Sequence, residues 1–266
     1  MATVPLTPAL RAEYDRLFDA CTVRPGGAAS VEKTANDLLA HRARYENVER
    51  DAGVPWYVVA VLHCLEASLS FKAHLHNGDP LTARTVQVPK GCPKTGAPPF
   101  TWEASAADAL ALKGLGRATD WSRAGTLYQL ERYNGFGYRL HHAHVRTPYL
   151  WGFSNHYTAG KYVKDGVWSD TAVSKQIGAA TLLRRLAERG VVRFADDPPD
   201  ASKPLVVPYA AAKPTDAGVL GRAKTLQAWL NTHGGVTLLV DGWAGRGTSD
   251  AYRRVTGGLL PGDPRA

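Results

Sequence analysis

The sequence predicts a mainly α-helical fold with a small β or loop excursion and a separate small module at its C-terminal end. Three observations carry this. Apolar residues recur at helical spacing over most of the first 190 positions, a stretch rich in Asp and Pro interrupts the pattern near residue 196, and helical spacing resumes after it. A chain of 266 residues is long enough for one well-packed domain and a smaller second one, because single cores stop growing near roughly 250–300 residues. The expected organisation is a large domain over residues 1–195, a linker over 196–215 and a module over 216–266.

Over residues 5–20, Leu10, Tyr14, Leu17 and Phe18 fall on one helical face, and over 30–50 Ala35, Leu38, Leu39 and Tyr45 do the same, with Gly26-Gly27 between them. Pro55 opens a third helix, where a missing N–H is harmless, and this helix runs through Trp56, Val59, Leu62, His63 and Glu66 toward Leu69. Residues 71–99 are irregular, with Asn77-Gly78-Asp79-Pro80, Gly91, Pro93, Gly96 and Pro98-Pro99, while Thr85-Val86-Gln87-Val88 alternates as a short strand does. This is the β or loop excursion. Helical spacing returns over 103–115, 121–133 and 171–188, with aromatic-rich loops between. Residues 196–218, with Lys203-Pro204 and Lys213-Pro214, suit an extended tether, and helices follow at 219–229 and from near Thr248.

The net charge of +8 and pI near 9.4 imply attraction to a polyanion. Nucleic acid is not the expected partner, since no long Lys/Arg cluster interleaves with aromatics. Mean hydropathy of −0.25 and the lack of any run of about 18 apolar residues argue against membrane insertion. Residues 1–25 carry Glu13, Asp15 and Asp19 and no basic segment before an apolar core, so no signal peptide is expected. The three cysteines, Cys21, Cys64 and Cys92, form no CxxC, which suits synthesis in a reducing cytoplasm. His74, His76, Cys64 and Cys92, and likewise His141-His142-x-His144, lack the spacing of a closed metal site, so no metal and no other cofactor is expected.

The chemistry centres on Glu66. Glycoside hydrolysis needs a carboxylic acid kept protonated near neutral pH, and a low-dielectric wall or a helix C-terminus raises a glutamate toward that state. Glu66 lies near the end of an apolar helix with Leu62, His63 and Leu69 on its face. The same geometry also allows a glutamate merely capped by His63 or paired with an arginine.

The segments His63-Cys64-Leu65-Glu66-Ala67-Ser68, His76-Asn77-Gly78-Asp79-Pro80-Leu81, Phe100-Thr101-Trp102-Glu103-Ala104-Ser105-Ala106 and Tyr133-Asn134-Gly135-Phe136-Gly137-Tyr138-Arg139 resemble a family of phage and prophage lysozyme-superfamily proteins over roughly residues 50–190. Glu66-Ala67-Ser68 on a helix and Leu130-x-x-Tyr133-Asn134-x-Phe136-Gly137 are also similar, more distantly, to goose-type lysozymes and lytic transglycosylases. The resemblance implies a lysozyme-like α-helical catalytic domain with Glu66 as general acid and with Tyr133 and Asn134 lining the sugar subsite. It also implies a second catalytic role for Asp79 in holding the attacking water, although Asn77-Gly78-Asp79-Pro80 reads equally as a plain turn. Tyr138, Trp102, Glu131 and His63 complete the expected substrate-binding set, with Glu103, Tyr149, Trp151 and Tyr157 behind them.

Near the C-terminus, Leu226-Gln227-Ala228-Trp229-Leu230-Asn231 and the run from Val240 through Asp241-Gly242-Trp243 to Thr248 resemble small three-helix peptidoglycan-binding modules. Glycines there permit tight turns, and Thr248 suits a helix cap. The expected function is therefore an N-acetylmuramidase of endolysin type. A lytic transglycosylase forming anhydromuramic ends and a non-catalytic wall-binding protein are the alternatives. The expected partner is peptidoglycan, met by a monomer made in the cytoplasm and acting on the wall after release or delivery.

Overall fold

The computed structural model describes residues 4–164, 166–197 and 206–266. Helices hold 46% of the chain and strands 4%, with eleven α-helices among the described residues, so the protein is of the mainly α class. It divides into two compact units, Met1–Asp196 and Asp197–Ala266. Of the expected linker, residues 198–205 lie outside the described residues.

The large unit opens with α1 (Pro8–Asp19), which Thr7 caps by accepting from the Leu10 N–H at 3.2 Å. A 3₁₀ turn at Pro25–Gly27 leads into α2 (Ala28–Ala40), and α3 (Arg42–Ala52) follows at once. The single helix expected over 30–50 is thus two, broken at His41, whose ring packs edge-on against Phe71 at 4.9 Å. The break lets α3 turn Tyr45 and Val48 fully into the core.

Helix α4 (Trp56–Ala67) begins after Pro55 and is mostly apolar around its circumference, which is why it is enclosed by α2, α3 and the later helices at Arg123–Asn134 and Ala179–Glu188. Val58, Val59, Val61 and Leu62 have no exposed surface, and each such side chain contributes about 1.5–3 kcal/mol on burial. A Leu62→Ala change in this setting costs about 2–5 kcal/mol. The helix ends two residues short of Leu69, because Ser68 (φ 47°) and Leu69 (φ 62°) both take the left-handed conformation. Two successive non-glycine residues there store strain immediately beside Glu66.

The excursion contains no strand at residues 85–88. Val86 and Gln87 give their N–H groups to the Asp79 carboxylate at 2.8 and 3.1 Å, and Thr85 is tied to Cys92, so the donors a ladder would use are taken. The strands lie instead within the segment read as aromatic loop: β1 (Lys161–Lys164) pairs antiparallel with β2 (Val167–Ser169). Helices α5 (Trp102–Leu112), α6 (Arg123–Asn134), α7 (Gly137–His141) and α8 (Pro148–Trp151) precede this hairpin. Helix α9 (Ala179–Glu188) starts later than the expected residue 171, because Gly178 lies flat against residues 150–152.

The small unit has two helices among its described residues, α10 (Ala217–Leu230) and α11 (Arg246–Thr256), rather than three. An extended segment takes the third place, with the Tyr209 and Ala210 N–H groups donating to Pro261 and Ala244 carbonyls at 2.9 and 3.0 Å. Pro208 and Pro214 disfavour a helix there. Thr248 is not a cap: it lies inside α11, where its Oγ1 donates to the Trp243 carbonyl at 3.1 Å and accepts from Gln227 Nε2 at 3.2 Å.

Candidate active site

Glu66 is presented by the last turn of α4 and remains exposed. Tyr149, on α8, donates its hydroxyl to Glu66 Oε1 at 2.6 Å. A pair of glycines sets up this contact. A Cβ on Gly178 would collide with the Leu150 carbonyl and one on Gly152 with the Gln176 carbonyl, and the Gly178 N–H donates to the Gly152 carbonyl at 3.0 Å. The close backbone approach fixes α8 and brings Gln176 to the Leu65 carbonyl, to which its Nε2 donates at 2.7 Å.

The surrounding protein raises the Glu66 carboxyl above the ordinary 4.5, while the hydrogen bond from Tyr149 and the more distant Lys113 charge partly offset that rise. The residue is exposed over its surface as a whole, yet its carboxyl end is crowded by tyrosines. Burial first, and then the Glu66 charge, pushes the Tyr133 and Tyr149 hydroxyls up, so both stay protonated. The Lys113 ammonium sits 4.6 Å from the centre of the Tyr133 ring.

A cleft of about 460 Å³ is lined by Asn134, Tyr138, Tyr149, Lys161, Lys164 and Gln176, among others, and not by Glu66 itself. Tyr149 and Gln176 line the cleft and also bond the Leu65-Glu66 segment, which links the carboxyl to the cleft through Tyr149. Gly135 (φ 92°) ends α6 and allows the turn that exposes Asn134. Beside the cleft, His142 stacks flat on Trp168 at 3.5 Å, and Tyr138 meets Trp168 edge-on at 5.5 Å, so the hairpin is anchored by rings.

Of the expected set, Asn134 and Tyr138 line the cleft and Tyr133 lies near enough to Glu66 to feel its charge, while the rest are separated out. Trp102 and His63 are fully buried and cannot touch a ligand in this arrangement. Their rings pack together 4.4 Å apart with Phe71 and Tyr45, because α4 and α5 close over them. His63 Nδ1 shares a hydrogen bond with the Tyr45 hydroxyl at 3.1 Å, and burial lowers the imidazole to about 4, so it is neutral.

Glu131 is also interior. Arg139 meets it with two N–H groups at 3.1 and 2.9 Å, and the Tyr14 hydroxyl donates to it at 2.5 Å, which makes it a brace between α1, α6 and α7. Asp79 Oδ2 accepts from Asn77 Nδ2 at 3.1 Å and from the Val86 and Gln87 N–H groups. The Gln87 and Val86 donors hold its carboxyl below the usual range, and that oxygen organises the loop. Of the second rank, Glu103 pairs with Arg44 at 2.6 Å. Trp151 and Tyr157 are buried, and Tyr149 is the one that reaches the acid.

His74 and Cys64 take no part in a possible metal cluster, since His74 bonds Ser105 and the Ala83 carbonyl. Sequence spacing did not single out Asp108, which joins His76 and Cys92 in a compact donor group.

In the small unit, Gln227 organises the Asp-Gly run: its Nε2 donates to Asp241 Oδ1 at 2.8 Å and its Oε1 accepts from the Gly242 N–H at 2.9 Å. A groove of about 440 Å³ opens beside it, lined by Tyr209, Leu239, Asp241, Trp243 and Arg246, among others. Comparison with family models, with curated proteins and with solved structures finds no match for the chain.

Proposed function

We propose that this protein cleaves the glycan strands of peptidoglycan as an N-acetylmuramidase, with Glu66 as general acid on a lysozyme-like α-helical domain. The observation that carries the reading is a carboxyl raised by burial and hydrogen-bonded by a neutral tyrosine, Tyr149, that itself lines a cleft, with no arginine matched to it. Tyr149 occupies Oε1, so the acidic proton resides on Oε2, free to pass to a glycosidic oxygen. Once the proton has left, the Tyr149 hydrogen bond and the Lys113 charge stabilise the carboxylate. Asn134 supplies an amide and Tyr138 a ring edge for N-acetyl and hydroxyl groups along the cleft. Lys161 and Lys164 suit a strand carrying carboxylates.

A second reading, a lytic transglycosylase, is favoured by one observation: Asp79 Oδ2 is committed to the Asn77 side chain and two backbone N–H groups, which points to a single working carboxyl. The hydrolytic reading needs a group to hold the attacking water, and Asp79, which does not line the cleft, would have to reach it from the loop it organises. Product mass separates the two, since hydrolysis adds a water that anhydro ends lack. The groove beside Trp243 in the small unit supports a wall-binding role for that module, which would hold the catalytic unit on an insoluble polymer.

The central test is Glu66→Gln on purified sacculi. Clearing should fall at least about 100-fold, while co-sedimentation with the wall is kept. Clearing equal to that of the unmodified protein would remove Glu66 from this role, and co-sedimentation without clearing by either protein would leave a wall-binding protein.

A further inference from the structure

Residues 68–101 form a long excursion with no regular element, and polar contacts do much of the work of holding it. Thr85 closes the loop onto Cys92, with the Thr85 N–H donating to the Cys92 carbonyl at 2.8 Å and the Cys92 N–H to Thr85 Oγ1 at 2.9 Å. This presents the Cys92 side chain, 1% exposed, toward His76 and toward Asp108 on α5. A ring nitrogen of His76, Sγ of Cys92 and a carboxylate oxygen of Asp108 all lie within 4.8 Å of one another.

A second observation comes from the histidine itself. The His76 side chain is 1% exposed, its Nε2 meets Asp108 Oδ2 at 2.9 Å, and its Nδ1 is buried without a hydrogen-bond partner. Nε2 is the nitrogen that faces Asp108, so it is the atom a cation shared by His76, Cys92 and Asp108 would take in place of that hydrogen bond.

We infer that His76, Cys92 and Asp108 form a site for a divalent transition cation of zinc type, which clamps the 71–99 excursion onto α5. Zinc bonds of about 2.0–2.3 Å place tetrahedral donors roughly 3.3–3.8 Å apart, so small side-chain rotations close the observed group. Thiolate and carboxylate bring two negative charges against the cation's two positive ones. On binding, the Cys92 S–H bond breaks, an S–metal bond forms and the proton passes to solvent. Three protein donors leave one position for water. The site would add a second anchor to the one that Leu75 and Leu81 make by entering the core of the large unit.

The test uses the full chain, stripped with a chelator and then given Zn²⁺ or Co²⁺ alone. One metal per chain should bind, Co²⁺ should develop a thiolate-to-metal charge-transfer band, and Zn²⁺ should raise Tm. Cys92→Ser should abolish the band, Cys64→Ser should leave it intact, and Asp108→Asn should weaken binding at least about tenfold. Asp108 is partly exposed, so its variant keeps the test open if Cys92→Ser does not fold. A stripped, folded chain that takes up neither ion, or a band that survives Cys92→Ser and is lost in Cys64→Ser, overturns the assignment. None of these readouts depends on peptidoglycan cleavage.

Discussion

Glu66 at the end of α4 and Glu131 in the last turns of α6 are the same side chain in opposite surroundings. Glu131 is buried and receives a two-pronged guanidinium from Arg139 and the hydroxyl of Tyr14. Glu66 belongs to an exposed turn and receives only the hydroxyl of Tyr149, with no ion pair among the described residues. An arginine fork ties a carboxylate to one place and makes it a brace. A neutral hydroxyl donor in a crowded setting leaves the proton's residence adjustable, which acid catalysis requires.

The comparison is broken most directly by exchanging charge for amide at both positions. Glu131→Gln leaves Arg139 without its main partner in a half-buried place, and breaking a buried pair costs about 3–5 kcal/mol. Because Arg139 also contacts Glu13 at 3.2 Å, the lower end of that range is expected, read as a fall in the denaturation midpoint. Glu66→Gln should shift the same midpoint by less than about 0.5 kcal/mol. Equal losses in the two variants would mean that both carboxyls are braces.

Acid titration sharpens the contrast with a third group. His63, one turn before Glu66, is neutral in the folded state with its imidazole near 4, against 6.5 when free. The unfolded chain therefore binds the extra proton first, and stability falls as pH drops from 6.5 toward about 4. For a fully buried ring the loss is roughly 3 kcal/mol. Glu66 acts in the opposite sense: its folded value lies above 4.5, so its contribution is present below 4.5 and is lost as pH rises through the folded value. His63→Gln should flatten the acid limb of a Tm-against-pH curve. A limb of unchanged slope would show that His63 is not the group being protonated.

Much of this architecture was legible from period alone. The stripe from Leu10 to Phe18 marks α1, and the unbroken apolar run from Trp56 to Leu62 marks a helix buried on every side. Period did not report which turns would consume a strand's donors. Thr85-Val86-Gln87-Val88 alternates like a strand, but Asp79 intercepts its N–H groups, and Val86 and Val88 end up 68% and 88% exposed. The real hairpin carried a signal that aromatic content obscured, since Asp165-Gly166 between Tyr162-Val163 and Val167-Trp168 is a hairpin dipeptide.

At the site, Glu66 and the Tyr133-Asn134 pair were visible in the sequence, whereas ring identity alone could not tell wall from core. Trp102 and His63 became core because Tyr45 and Phe71 close around them. Tyr149 stands 83 positions from Glu66, and nothing local ties them. The link runs through two glycines, Gly152 and Gly178, whose backbones meet in a contact that any side chain would block.

The smallest effect is the most specific, because it touches the donor that separates Glu66 from Glu131. In Tyr149→Phe the ring stays to fill its place and the hydroxyl is lost. That hydroxyl favours the Glu66 carboxylate, so its removal raises the carboxyl further. A general acid works only while protonated, so the alkaline limb of kcat/KM moves to higher pH. A hydrogen bond worth about 1 kcal/mol corresponds to a displacement of somewhat under one pH unit, with only a severalfold change in rate at the optimum. Packing alone would leave the limb where it is, and a displacement to lower pH would mean that Tyr149 donates to the neutral acid rather than the anion.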